Sequence, residues 1–98
     1  MEVFNKIVDW AKDKNLVDIN RRDKQMLKLT EEAGELAGGI AKGKEDVVKD
    51  SIGDCVVVLT ILAAQSGLTI QECIEYAYNE IKGRTGKTVN GVFIKDEA

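Results

Sequence analysis

Histidine and proline are missing altogether from this 98-residue chain, and cysteine and the aromatic residues are scarce. Without histidine there is no Ser-His-Asp or Cys-His triad, no histidine-ligated zinc and no imidazole base. Carboxylates, lysines and backbone groups are left to carry any chemistry. Two cysteines, Cys55 and Cys73, are too few and too far apart for a disulfide framework or a CxxC clamp. Each falls in an apolar helical pattern and reads as a small core residue. The longest apolar run, Cys55 to Ala64, falls well short of the ~20 residues that span a bilayer. The N-terminal stretch MEVFNKIVDWAKDK mixes acids into its apolar pattern and fits neither a signal peptide nor an anchor. A cytoplasmic protein without a membrane partner is therefore expected. Bases are outnumbered 14 to 17, for a net charge of -3, and no basic stripe offers itself to a duplex. A nucleic-acid polymer is accordingly not expected as partner.

What is present is 44% hydrophobic and 32% charged sequence, enough for one domain over 1–98 and too little for two cores. The spacing of apolar residues predicts an amphipathic helix from Val3 to Lys14 and a second from about Arg21 to Lys42, capped by Asn20. Met26, Leu29, Ala33, Leu36, Ala37 and Ile40 form the stripe of that second helix. A third helix is predicted from near Glu45 to Ser66-Gly67, and a fourth from Ile70 to Lys82 with Thr69 and Glu72 as a capping box. Beyond Lys82 the tail, 83–98, carries an Asn90-Gly91 pair between β-prone residues, the signature of a hairpin, expected to lie on the helices. Four helices with short connections indicate an all-α four-helix bundle with a short C-terminal tail or β-hairpin. The third helix is apolar round nearly its whole circumference, and so short a chain cannot enclose one of its own helices. A homodimer or a tetramer, as a dimer of dimers, is expected to complete the bundle.

The acids are patterned too. On a helical wheel Glu32 and Glu35 sit together on one flank of the second helix, with Glu31 farther round, and Asp50 and Asp54 share a face of the third. Asp54 opens into an otherwise apolar stretch, where an unpaired carboxylate is costly and calls for a cation. If these helices pack antiparallel, the two acid pairs face each other across a groove, and an all-oxygen donor set suits Mg²⁺, with Mn²⁺ as a substitute. The plainer account of each pair is a solvated face, with Glu32 paired to Lys28.

The segment KLTEEAGELAGGIAKGKEDVVKDSIGDCVVVLTILA resembles the core of the MazG-like nucleotide pyrophosphohydrolases, an all-α superfamily shared with the dimeric dUTPases, whose signature is EExxE followed by ExxD. Glu31, Glu32 and Glu35 match the first element, and Asp54 matches the final aspartate. IKGRTGKTVNGVFIK is similar to the tail of phage or prophage members, so the likeness runs over roughly residues 23–95. It implies a metal-dependent hydrolase that cleaves a nucleoside triphosphate to monophosphate and pyrophosphate, in a nucleotide-pool or house-cleaning role. Glu32, Glu35 and Asp54 would hold the metal, with Asp50 as a further ligand, and Glu31 or Glu35 would take the proton of the attacking water. Lys28, Asn79, Lys82 and Arg84 are candidates to meet the phosphates. One departure stands out: Ser51 occupies the place of the ExxD glutamate, and the nearby acid is Asp50, one residue earlier. That leaves the number of ions open. It also leaves a second class of reading, a non-catalytic oligomeric helical module that binds nucleotide without turning it over.

Two decoys fall away. GRTGKT lacks the glycine of a phosphate-binding P-loop, because Ile81 stands where GxxxxGKT needs it, and a helix rather than a strand precedes it. The phosphoribosyl-ATP pyrophosphatases of the same superfamily carry a histidine that this chain does not have. Trp10, Phe4, Tyr76 and Tyr78 are available to stack on a base, but core packing is the expected use of each.

Overall fold

The computed structural model describes residues 2–97. Four helices follow one another, α1 (Glu2–Asp13), α2 (Arg22–Ala41), α3 (Glu45–Gln65) and α4 (Ile70–Ile81), and a hairpin of β1 (Gly86–Val89) and β2 (Val92–Lys95) ends the chain. No helix among the described residues is long and apolar enough to cross a membrane.

Three of the four helices stop in the same way. Asn15, Gly43 and Gly67 take positive φ of 59°, 66° and 75°, and the next amide in each case, Leu16, Lys44 or Leu68, donates back to Ala11, Gly39 or Ala63 at 2.9 Å. This closure satisfies the carbonyls a helix end leaves bare, and glycine or asparagine accepts the left-handed conformation it needs. Starts are less uniform. Thr69 and Glu72 form the reciprocal capping box at α4 as the sequence predicts, with Thr69 Oγ1 accepting from the Glu72 amide at 3.1 Å. Asn20, predicted to cap α2, does not. The chain instead makes a one-turn 3-10 helix, Ile19–Arg21, capped by Asp18, whose carboxylate accepts from the Asn20 amide. α2 then begins behind Arg21 with no side-chain cap, because the 3-10 turn already supplies the entry.

α2 and α3 are an antiparallel pair joined by the tight Lys42–Lys44 turn, and they make the most extensive contact in the molecule. Gly39 explains how near they come: a Cβ there would lie 2.9 Å from Val47 Cγ1. α1 crosses the C-terminal half of α3, burying Ala11 completely against a core that includes Val58, Ile61 and Ala63. Gln65 fastens the link that follows α1, donating from Nε2 to the Leu16 carbonyl at 2.8 Å. α4 packs on α3 more lightly and buries no residue.

Much of the predicted core is bare. Ile52, Val56 and Leu59 remain exposed on α3, and Met26, Ala33, Ala37 and Ile40 on α2. Leu29 and Leu36 are half-buried, so the stripe foreseen on α2 is split between a covered and an uncovered side. Trp10, Tyr76 and Tyr78 are exposed and Phe4 only half-buried, so the core of one chain does not take up these rings, whose expected use is core packing. Cys55 and Cys73 are free and half-buried rather than fully enclosed. The hairpin forms with its predicted turn, Asn90 and Gly91 at φ 50° and 80° and Val89 opposite Val92, which is the twist-matched two-residue connection. It does not lie on the helices, since both strands are exposed throughout. The accessible surface, 7518 Å², exceeds the roughly 5,500 Å² expected of a compact monomer of this mass by about 2,000 Å². The radius of gyration, 15.9 Å, likewise exceeds the ~12.5 Å of a globule of this length.

The α2–α3 approach is testable at neighbouring glycines. Gly39→Val drives a branched side chain into Val47 and is expected to cost about 2 kcal/mol or more in urea unfolding. Gly38→Ala, with nothing within 4 Å of its new Cβ, is expected to stabilise by up to ~1 kcal/mol through helix propensity.

Candidate metal centre

The acids of α2 and α3 share one side of the helix pair. Taking about 100° per residue, Glu31, Glu32 and Glu35 fall on one flank of the α2 surface that meets α3, and Met26, Ala33, Ala37 and Ile40 on the other. On α3 the order is the mirror of this, with Asp46, Asp50 and Asp54 on one flank and Ile52, Val56 and Leu59 opposite. Because the helices run antiparallel, the two acidic flanks open on the same face of the layer and the two apolar flanks on the reverse face.

Within that acidic face the structure gathers three carboxylates. One oxygen each from Glu31, Glu32 and Glu35 lies within 4.8 Å of the others, the cluster among the described residues able to close on an ion. Glu31 and Glu35 are exposed and Glu32 is buried, with 6% of its surface accessible. Burial comes from its place on α2, turned towards α3. Lys28, one turn earlier, sets its Nζ 3.4 Å from Glu32 Oε1 and 3.6 Å from Glu31 Oε1. The Glu32 carboxylate beside it, followed by the charges of Glu31 and Glu32, holds the Lys28 ammonium above the usual lysine value. The second oxygen, Glu32 Oε2, is buried without a hydrogen-bond partner. An unsatisfied buried oxygen of this kind costs roughly 1–3 kcal/mol, more if charged, and a cation in the cluster would relieve it. The donor set, oxygens alone, fits a hard divalent ion.

Asp50 and Asp54 are placed differently. With Asp46, Lys49, Gly53 and Val57 they line a shallow groove farther along the same face, Asp54 half-buried and Asp50 exposed, and neither joins the three-glutamate cluster. Ser51 is turned from that groove and buried, 2% accessible, on the side of α3 that meets α2. Asn79 and Lys82 are exposed at the end of α4, and Arg84 in the link to the hairpin. None of the three lines the cleft beside the glutamates, whereas Lys42 and Lys44 do, together with Glu31, Glu35, Gly34, Gly38, Gly39 and Val47. Sequence reasoning passed over Lys42 and Lys44. The signal was the Lys-Gly-Lys turn itself, which folds two cations back beside the helix that carries the acids.

Comparison with known proteins adds what geometry alone does not. The MazG nucleotide pyrophosphohydrolase domain matches residues 20–89. The chain belongs to the MazG family. A relative, the uncharacterized 18.2 kDa protein in the rep-hol intergenic region of Haemophilus phage HP1, is 54% identical over 65 residues, 66% of this chain and 40% of that protein. The chain thus spans less than half the length of this phage relative. No solved structure gives a significant match. The MazG match takes in α2 and α3 whole, with the glutamate cluster, Lys28, Asp50 and Asp54, as well as α4 and the first hairpin strand.

Replacing Lys28 by Met is expected to lower the thermal midpoint in metal-free buffer, because Glu32 loses its counter-charge, and a Glu32→Gln background is expected to shrink that loss. The Lys28 value is raised on folding, so the ion pair stabilises fully below the unfolded lysine value and its contribution fades as pH climbs through the raised one. Melting curves of wild type and Lys28→Met should therefore converge in strongly alkaline solution.

Proposed function

We propose that the acidic face of α2 and α3 hydrolyses a nucleoside triphosphate to the monophosphate and pyrophosphate. The observation that carries this is the buried, half-satisfied Glu32 inside a cluster of three glutamates, in a chain of the MazG family. Glu32 and Glu35 would hold the metal, with Asp54 and Asp50 of the neighbouring groove as further ligands. Mg²⁺ bound there would neutralise the polyphosphate and favour attack at the α-phosphorus. The chain's own groups do the rest. Glu31 or Glu35, both exposed at the cleft, takes the proton of the attacking water. The new bond forms between the water oxygen and the α-phosphorus, and the bond to the bridging oxygen breaks to release pyrophosphate. Lys42 and Lys44 at the cleft offer charge to the phosphate oxygens, as does Lys28 once it leaves Glu32. Asn79, Lys82 and Arg84 are the further phosphate-binding candidates.

A homodimer or tetramer belongs to the same proposal. The apolar reverse face of α2 and α3, with Ile52, Val56 and Leu59 bare, covers itself by meeting the same face of a second copy, as two-fold interfaces do. Ser51 favours a second reading, in which the oligomer binds nucleotide without cleaving it, since a buried hydroxyl stands where the family motif has glutamate.

Incubation of the chain with each triphosphate and Mg²⁺ is expected to release pyrophosphate. Glu35→Gln and Asp54→Asn are each expected to lower turnover on the order of 10²-fold or more while helix content by circular dichroism is unchanged. A nucleotide-dependent and Mn²⁺-dependent rise in melting temperature without any pyrophosphate would establish the binding reading instead. Ser51→Glu forces a longer acid into the packed α2–α3 contact and is expected to lower the melting temperature in metal-free buffer, with Mn²⁺ restoring it where the new carboxylate serves as a ligand.

A further inference from the structure

We infer that the C-terminal hairpin is an arm that docks on a second copy of this chain and sets Arg84 and Lys87 against that copy's glutamate cluster.

The hairpin lacks a cover on one of its faces. Cross-strand pairing puts Val89 opposite Val92 and Lys87 opposite Ile94, so Val89, Val92 and Ile94 share one face of the ribbon. All three are exposed, and no residue of either strand is covered by the helices of its own chain. On the other face the Phe93 ring closes over Gly86, where a Cβ would strike both the ring and the Ile94 carbonyl. One side of the ribbon therefore has its own cover and the other does not. A two-stranded ribbon with a bare apolar face is marginal in water and calls for something to pack on.

Charge says what that something is. From residue 81 to residue 98 the chain carries Lys82, Arg84, Lys87 and Lys95 against Asp96 and Glu97, whereas residues 1–80 carry fifteen acids against ten bases. The arm and the helical body are thus of opposite sign, and the face of α2 and α3 that bears Glu31, Glu32, Glu35, Asp46, Asp50 and Asp54 holds six of the body's fifteen acids. Within its own chain the hairpin makes no extensive contact with any helix, and both strands are exposed. Opposite charge on two parts that do not pack together in one molecule favours their meeting between copies. Area agrees: about 2,000 Å² of surplus surface per chain, about 4,000 Å² for a pair, leaves room for the arm beside the bare reverse face of α2 and α3 within the 2,000–5,000 Å² total that obligate homodimers hide.

The docking stands on exposure, charge and area, and only its consequence, cations of one copy beside a polyphosphate held by another, rests on the hydrolase reading above. The experiment separates the two. Equal parts of ¹⁵N-labelled and unlabelled full-length chain are unfolded together in urea, refolded and treated with a zero-length carbodiimide, which joins a lysine amine to a carboxylate already touching it. The expected result is a species of dimer mass or larger by sedimentation, and peptides joining Lys87 to Glu31 or Glu35 that carry one labelled and one unlabelled partner. The double variant Val92→Asp with Ile94→Asp is expected to abolish those peptides while keeping its helix content, because neither residue contributes to the core. A monomer in sedimentation, Lys87 joined to Glu31 or Glu35 only in isotopically uniform peptides, or Lys87 joined to other acids alone would overturn the arm. Mixed-isotope links in a chain that releases no pyrophosphate would sink the hydrolase reading and keep the arm, and hydrolysis without such links would do the reverse.

Discussion

The chemistry of this protein rests on one carboxylate kept out of water. Glu32 points from α2 towards α3 with almost none of its surface accessible, one oxygen leaning on Lys28 and the other on nothing. A protein that buries such a group must supply positive charge or lose stability. The metal-free chain does so incompletely, with a single exposed lysine that also serves Glu31. The three glutamates could coordinate a divalent cation, and Asp46, Asp50 and Asp54 open on the same face.

That arrangement depends on the two-sidedness of the α2–α3 pair. An antiparallel pair with acids on one flank of each helix and aliphatics on the other has two faces of opposite chemistry, one wet and charged, the other greasy and bare. Neither α1 nor α4 covers the greasy face. α1 is spent on the C-terminal half of α3, and α4 leans on the same helix without burying a residue. The isolated chain is consequently spread out, with surface and radius both larger than its mass requires.

Helix existence and ends were legible because their causes are local. The 3.6-residue spacing of apolar residues, the capping box at Thr69 and Glu72, the glycine stop at Gly67 and the Asn90-Gly91 turn each act within a few residues. The start of α2 was not legible, since Asp18 and Asn20 are both good caps and only the geometry of the preceding link chooses between them. The fate of the aromatics was hidden for a different reason. Periodicity says which face of a helix is apolar, but not whether this chain owns enough helix to cover it, and Trp10 and Tyr78 are apolar-face residues left bare. Within the site, Glu32 and Glu35 could be grouped from spacing on one helix and Glu31 only through the EExxE motif, whereas the relation of Asp50 and Asp54 to them depends on how two helices slide past each other. Ser51 illustrates the limit: the sequence marks it as a departure, and only the fold reveals that it is buried between the helices.

The closeness of α2 and α3 has an evolutionary corollary. With Gly39 against Val47, the separation of the two helix axes is governed by a single missing methyl group on one side and a stiff branched side chain on the other. Neither position is free to drift by itself: a relative that acquires a side chain at the first must surrender bulk at the second, and the pair is bound to covary wherever the interaxial distance is retained.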